Sequence, residues 1–146
     1  MRKLILLYVV LVTFLSAKSL QPQEMTTDEM EKQNRIIVKL ASEEMSKTLP
    51  QNIDKYTTLQ KVEGKDTKLI YTYEINTGAK SDESVRNEDR SRMQKAVTYG
   101  ICKTSKRFLD AKIDISYVYR SATSKEKLFE FNVSQKDCIQ SDTERY

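Results

Sequence analysis

Apolar and polar residues alternate along residues 68–75, except that Ile70 on the polar side is apolar. The other apolar members of this segment lie on one side of an extended chain: Leu69, Tyr71, Tyr73 and Ile75. A period of two predicts a β-strand with one face in the core and one face in water. The same alternation at 113–119 and 129–133 predicts two further strands that form a second hairpin.

A fourth strand is predicted over residues 56–62, where the alternation is less regular. Leu59 and Val62 are three positions apart, so a regular strand would direct them to opposite faces. A β-bulge between them, or an early end of the strand, would explain this difference. The polar segment 63–66 supplies the turn into the next strand.

Helical periodicity precedes each predicted hairpin. Thr26 and Glu29 fit a capping box, which predicts a first helix over residues 27–48. We expect its apolar side to face the core, and that side carries Met30, Ile37, Leu40, Ala41 and Met45. A second helix is predicted over residues 84–101, followed by a short helical turn over 104–111.

The order α-β-β-α-β-β predicts a two-layer α+β domain. In this interpretation a four-stranded, mostly antiparallel sheet packs one face on the helices. The domain is expected to span residues 27–139, after a polar lead-in at 20–26. Residues 140–146 are expected to form a flexible tail.

Residues 1–19 have the pattern of a secretory signal peptide. Arg2 and Lys3 precede an apolar run from Leu4 to Leu15, and Ala17 and Ser19 resemble a small-residue cleavage site. A bilayer-spanning helix needs about 20 apolar residues, so this shorter run favours cleavage after Ser19 over a membrane anchor. We therefore expect an exported protein, periplasmic or secreted, with no stable membrane anchor after cleavage.

Removal of the signal peptide changes the charge balance. The full chain has 25 basic and 21 acidic residues, and three of the basic ones lie in the signal peptide. The processed chain is therefore nearly neutral, which argues against a nucleic-acid partner. The chain has no His and three Gly, which excludes Ser–His–Asp triads, His-based zinc sites and glycine-rich phosphate loops. We expect no metal, no cofactor and no enzymatic activity.

The two cysteines, Cys102 and Cys138, are predicted to form a disulfide because export places them in an oxidising compartment. The bond would join the end of the second helix to the end of the last strand. Loop-closure entropy gives it a stabilisation of about 4 kcal/mol.

Three groups of residues are candidates for binding or modification. Tyr71, Tyr73, Tyr117 and Tyr119 would form either an aromatic face for sugar or peptide, or cross-strand pairs within the core. Lys95, Lys103, Lys106 and Arg107 would form either a patch for an anionic partner or an ordinary solvated surface with interleaved acids. Asn132 lies in an N-x-S sequence preceded by Glu130, which is a candidate glycosylation site on the wet face of its strand.

In one group of sequence features, the chain resembles small exported Gram-negative bacterial proteins of uncharacterised function. These features are Leu49-Pro50, Ile53-Asp54, Thr57-Thr58-Leu59, Tyr71-x-Tyr73, Cys102, Arg107-Phe108-Leu109, Tyr117-x-Tyr119 and Asp137-Cys138. The chain departs from that group at Ala111-Lys112, where members often have Gly. The resemblance implies export and carries no catalytic residue.

These observations favour a soluble periplasmic binding or accessory protein that acts by contact with an unidentified envelope protein. One alternative is a periplasmic inhibitor or immunity-type protein. Another, from a different class, is a small cell-wall hydrolase built on carboxylates such as Asp54, Asp110 and Asp114. That activity requires a cleft in which two carboxyl groups have unequal pKa values.

Overall fold

The computed structural model of the protein describes residues 25–143, with side chains described as far as residue 139. The predicted signal peptide, residues 20–24 of the lead-in and residues 144–146 lie outside the described residues. Within the described part, no helix is long and apolar enough to cross a membrane.

Five helices and five strands make up the described chain. In order they are α1 (Thr27–Ser46), β1 (Gln51–Asn52), β2 (Thr57–Lys65), β3 (Lys68–Ile75), α2 (Asp82–Arg86), α3 (Ser91–Thr104), α4 (Lys106–Asp110), β4 (Asp114–Ser121), β5 (Lys127–Val133) and α5 (Gln135–Thr143). The predicted α+β class is confirmed.

The sheet differs in detail from the four-stranded, mostly antiparallel one expected from the sequence. It has five strands in the order β1-β2-β3-β4-β5, and the central pair β3 and β4 runs parallel. The helical connection from β3 to β4 returns the chain to the end where β3 began, so the two hairpins meet in parallel. The fifth strand, β1, is two residues long and pairs with β2.

The irregular strand β2 contains the bulge that the sequence allowed. Its register against β3 shifts between Leu59 and Lys61, which leaves Gln60 as the extra residue. Leu59 and Val62 are consequently both buried on the same face of the sheet.

The predicted second helix is two helices, α2 and α3. Polar residues between them end the first helix and bond to the backbone at the start of the second. Asn87 ends α2, and the Asp89 carboxylate accepts a hydrogen bond of 2.9 Å from the Ser91 backbone N–H at the start of α3. Short Asn and Asp side chains compete with the helical hydrogen-bond pattern in this way.

The predicted disulfide joins Cys102 of α3 to Cys138, with the two Cα atoms 5.5 Å apart. Cys138 lies within α5, a helix that we did not predict from the sequence. This helix packs against α3 and extends to Thr143, so residues 140–143 of the expected tail belong to a helix.

The core lies between the helices and one face of the sheet. Leu69 of β3, Ile113 just before β4 and Ile115 of β4 are fully buried there. Helix α1 packs mainly on β2, while α3 packs on β5 and α5. The opposite face of the sheet carries the polar residues of the alternating strands.

Candidate functional site

The most buried residues of α1, on the face that contacts the sheet, are small or polar. Asn34, Val38 and Ser42 are 5%, 1% and 8% exposed. Val38 lies against Gly64 of β2, where an added Cβ would come within 2.7 Å of the Val38 Cγ1 atom. Glycine at this position therefore allows the helix backbone to approach the sheet closely.

Specific hydrogen bonds fix this inner face to the sheet and its loops. The Asn34 side chain donates to the carbonyl oxygen of Ala111 at 2.5 Å, just before β4. The Ser46 hydroxyl donates to the carbonyl oxygen of Val62 at 3.1 Å. Because these bonds connect α1 to strand β2 and to the turn before β4, they set the rotation of the helix about its axis.

The opposite side of α1 carries larger aliphatic residues than the side that faces the core. Ile36, Ile37 and Leu40 are 59%, 37% and 59% exposed, and we call these three residues the outer stripe. Met25 and Met30 are also exposed, near the start of the helix. Ile36 and Leu40 are one turn apart, so they form a continuous apolar surface.

The predicted core side of this helix was therefore wrong for three of its five residues. Ala41 and Met45 do pack against the core, but Met30, Ile37 and Leu40 are exposed. The apolar periodicity is misleading because Asn34 and Ser42 take positions where aliphatic residues are normally expected. The adjacent pair Ile36-Ile37 could have indicated from the sequence that an aliphatic residue of this helix is exposed. Two neighbouring residues of a helix rarely share one buried stripe.

Charges next to the outer stripe balance one another. The acidic and basic residues on this surface of the helix are Glu29, Lys32, Lys39, Glu43, Glu44 and Lys47. Lys47 Nζ and Glu44 Oε2 are 2.5 Å apart, and Lys39 Nζ and Glu43 Oε1 are 4.0 Å apart. A surface with balanced charge has no strong preference for an acidic or a basic partner, so apolar contact would dominate binding there.

The four predicted tyrosines form one aromatic row on the core side of β3 and β4. Tyr73 and Tyr119 are buried and stack with ring centroids 5.1 Å apart, while Tyr71 and Tyr117 are half-buried with centroids 5.2 Å apart. The Tyr71 hydroxyl donates to Met45 Sδ of α1 at 3.2 Å. The row therefore packs within the core, and an aromatic binding face could use only the exposed parts of Tyr71 and Tyr117.

Burial of this aromatic row disfavours ionisation of its hydroxyl groups. It raises the pKa of Tyr71 and of Tyr119 to about 12, with a smaller contribution from the neighbouring Tyr117. It also raises the pKa of Tyr73.

The predicted basic patch lies on two consecutive helices near the disulfide. Lys95 and Lys103 belong to α3, whereas Lys106 and Arg107 begin α4. Lys103 Nζ lies 4.6 Å from the centre of the Tyr99 ring, and Lys106 Nζ is 2.6 Å from Asp110 Oδ2. These contacts moderate the positive charge, and an anionic partner for the patch stays a prediction.

Asn132 lies exposed on β5, on the polar face of the sheet. Its side-chain amide donates to Glu130 Oε1 at 2.9 Å, and its carbonyl oxygen accepts from Lys68 Nζ at 3.2 Å. The hydrogen bond from Asn132 is the largest of the contributions that lower the pKa of Glu130. Glycosylation at Asn132 stays a prediction.

Two of the three carboxyl groups considered for hydrolysis, those of Asp54 and Asp110, have a lowered pKa. A hydrogen bond from the Tyr56 backbone lowers the pKa of Asp54, and a hydrogen bond from Lys106 lowers that of Asp110. A general acid in glycoside cleavage needs a raised pKa. Among residues 25–139, no three carboxylate or cysteine side chains come together as metal ligands.

The sequence of residues 31–129 matches a family described as a domain of unknown function, DUF8479. The chain belongs to the DUF8479 family. The matched segment contains the whole outer stripe and ends within β5, before α5 and Cys138. No curated protein matches the chain.

Three solved structures share this fold at low sequence identity. The PA3611 protein of Pseudomonas aeruginosa, assigned as secreted, superposes with a TM-score of 0.66 at 12% identity, over 75% of this chain and 96% of its own. The pilotin EpsS of the Vibrio vulnificus type 2 secretion system gives 0.62 at 12%, over 76% and 96%. The type II secretion system pilotin AspS of Vibrio cholerae gives 0.59 at 13%, over 76% and 97%.

At these identities the likeness establishes a common fold. The likeness extends over 96–97% of each of these proteins and 75–76% of this chain, so the fold is shared over nearly the whole length of each neighbour. This agrees with the expected resemblance to exported proteins of Gram-negative bacteria at the level of fold, while the Tyr-x-Tyr pattern itself is not confirmed as a family feature.

Proposed function

We propose that this DUF8479 protein is an envelope accessory protein that binds a protein partner through the outer stripe of α1. The observation that carries the proposal is the exposure of Ile36 and Leu40 on the side of the helix opposite Val38, with the partly exposed Ile37 at the edge of that side. Soluble monomers rarely expose contiguous large aliphatic side chains unless another surface covers them.

The structural neighbours support the cellular setting of this proposal. Two of them are pilotins of type 2 secretion systems, and the third is assigned as a secreted protein. Together with the predicted signal peptide, this favours an exported protein whose partner resides in the cell envelope. The proposed role is contact with that partner, without catalysis.

The chemistry of the stripe indicates what the partner presents. Ile36 and Leu40 offer an apolar strip one helical turn long, with balanced charges beside it. An amphipathic helix of the partner, with its own apolar residues spaced by three and four positions, matches such a surface. Because net charge contributes little, we expect the interaction to persist as ionic strength rises.

A photo-crosslinking side chain at position 40 tests this proposal in cells that make the protein at native level. The matched control carries the same group at Glu63 of β2, which is exposed on the other face of the sheet. We expect one dominant envelope-protein adduct from position 40 and none from position 63. Equal adducts from both positions, or none from position 40, would contradict the proposal.

The identity of the adduct separates the two contact functions. A component of an envelope assembly supports an accessory role. A periplasmic enzyme whose activity falls on binding instead supports the inhibitor or immunity-type alternative.

A further inference from the structure

The outer surface of α1 is complementary to itself when two copies are placed antiparallel. Val38 faces the sheet, and Glu29 and Lys47 are each two and a half turns away from it along the helix. Glu29 and Lys47 therefore lie on the centre line of the outer surface. Ile36 and Leu40 lie about 20° to either side of that line, at equal distances along the helix from Val38.

A two-fold axis at the level of Val38 would bring unlike residues together across the two helices. Ile36 of one copy would meet Leu40 of the other, and Glu29 would meet Lys47. Lys32 and Glu43 lie on the same side of the centre line, so they would also meet across the axis. Every one of these contacts occurs twice in a two-fold dimer, so the apolar centre is flanked by four opposite-charge pairs.

We infer that a second copy of this chain covers the outer stripe when the partner is absent. This inference rests on the proposed function, since a second copy would compete with the envelope partner for the same outer stripe. A helix of 20 residues is about 30 Å long, so a contact between two such helices is small for a protein interface. The dimer therefore dissociates on dilution, and a partner that binds the same stripe displaces the second copy.

Charge reversal at Lys32 and Glu43 tests the pairing. In the Lys32→Glu variant two acidic residues face each other twice, and in Glu43→Lys two basic residues do. We expect each variant alone to weaken self-association at least tenfold, measured by sedimentation equilibrium over a range of concentrations. An equimolar mixture of the two variants restores opposite charges at both contacts, so it should form a heterodimer.

The double variant Lys32→Glu, Glu43→Lys also restores opposite charges, and it should dimerise like the unmodified protein. Lys65→Glu, an exposed reversal on β2, is the matched control and should leave self-association unchanged. Thermal unfolding of each variant verifies the fold. An unmodified protein that stays monomeric at every concentration, or a dimer that neither single reversal weakens, would overturn the inference.

The photo-crosslinker at position 40 separates this inference from the proposed function. If dimerisation fails while the adduct with the envelope partner remains, only the self-pairing is wrong. If the dimer forms as described but no partner adduct appears, only the proposed function is wrong. In the monomeric Lys32→Glu variant, we expect more of the partner adduct because the competing copy is absent.

Discussion

The two faces of α1 differ from those of an ordinary surface helix, because polar residues lie on the buried face and large aliphatic residues lie on the exposed face. Its inner face carries Asn34, Val38 and Ser42 against the sheet, while its outer face presents Ile36 and Leu40 to solvent. The inner residues are small because the helix backbone lies directly over Gly64 of β2. The largest aliphatic side chains of the helix therefore have no place in the core.

Burial on this helix is therefore decided by side-chain size and hydrogen bonding more than by hydrophobicity. A large side chain at position 38 or 42 would collide with β2, and an aliphatic residue at position 34 would leave the Ala111 carbonyl without its donor. The inner face maintains the fold, and the outer face is available for binding.

The largest loss of stability is expected from removal of the disulfide. This bond joins α3 to α5 and does not involve α1. Cys102→Ser opens a bond between residues 36 positions apart and should lower the free energy of unfolding by roughly 2–4 kcal/mol. Denaturant unfolding of the purified protein measures this change. Partner capture at saturating concentration should be retained, and loss of capture in a folded Cys102→Ser protein would show that the binding surface extends to α3 and α5.

A bulky residue beneath α1 should be the next most damaging change. Gly64→Val places side-chain atoms where Val38 and Ser42 already lie, so the helix must move away from β2. Overpacking of this kind costs roughly 1–3 kcal/mol. Gly78→Ala in the loop after β3 serves as a comparison without any crowding atoms, although its positive φ makes that substitution strained as well. Unchanged stability in Gly64→Val would mean that the helix does not approach the sheet so closely.

A smaller effect is expected from the hydrogen bond at the start of the inner face. Asn34→Ala removes the donor to the Ala111 carbonyl and should destabilise the protein by about 1 kcal/mol. Gln33→Ala, on the neighbouring exposed position, is the control and should change stability little. Equal unfolding midpoints for Asn34→Ala and the unmodified protein would argue against this anchor.

Alkaline pH should weaken the packing of the aromatic row on the core side of β3 and β4. The pKa of Tyr71 and of Tyr119 is raised to about 12, from an ordinary value of 10.0. Because the unfolded chain loses these protons first, the stabilisation is complete below pH 10 and decreases as the pH rises from 10 to about 12. Denaturation midpoints across this range, compared with tyrosinate absorbance of the folded protein, test the sign. Rising stability over this interval would contradict it.

The strands were predictable from the sequence because alternation is a local property. Leu69 and Ile115 lie in the core, and Leu59 and Val62 share a face through the predicted bulge. The parallel pairing of β3 with β4 depends on how the helical connection packs, which no local pattern encodes. The short helix α5 was missed because its apolar periodicity is weak.

The candidate site was harder to predict for a related reason. The rotation of α1 depends on Asn34 reaching Ala111 and on Val38 meeting Gly64, and both contacts join distant parts of the chain. From the sequence alone, Leu40 was expected in the core. The tyrosines gave a pattern that fitted either a core or a binding face, and only their burial distinguishes the two roles for Tyr73 and Tyr119.

The smallest effect on stability is expected from the double variant Ile36→Ser, Leu40→Ser, which removes the two aliphatic side chains opposite Val38. Both side chains are mostly exposed, so the unfolding free energy should change by less than about 1 kcal/mol. The measurement is the amount of envelope partner captured by this variant relative to the unmodified protein. We predict that capture falls at least tenfold while the unfolding midpoint stays nearly constant. Undiminished capture by the folded double variant would contradict a binding role for the outer stripe.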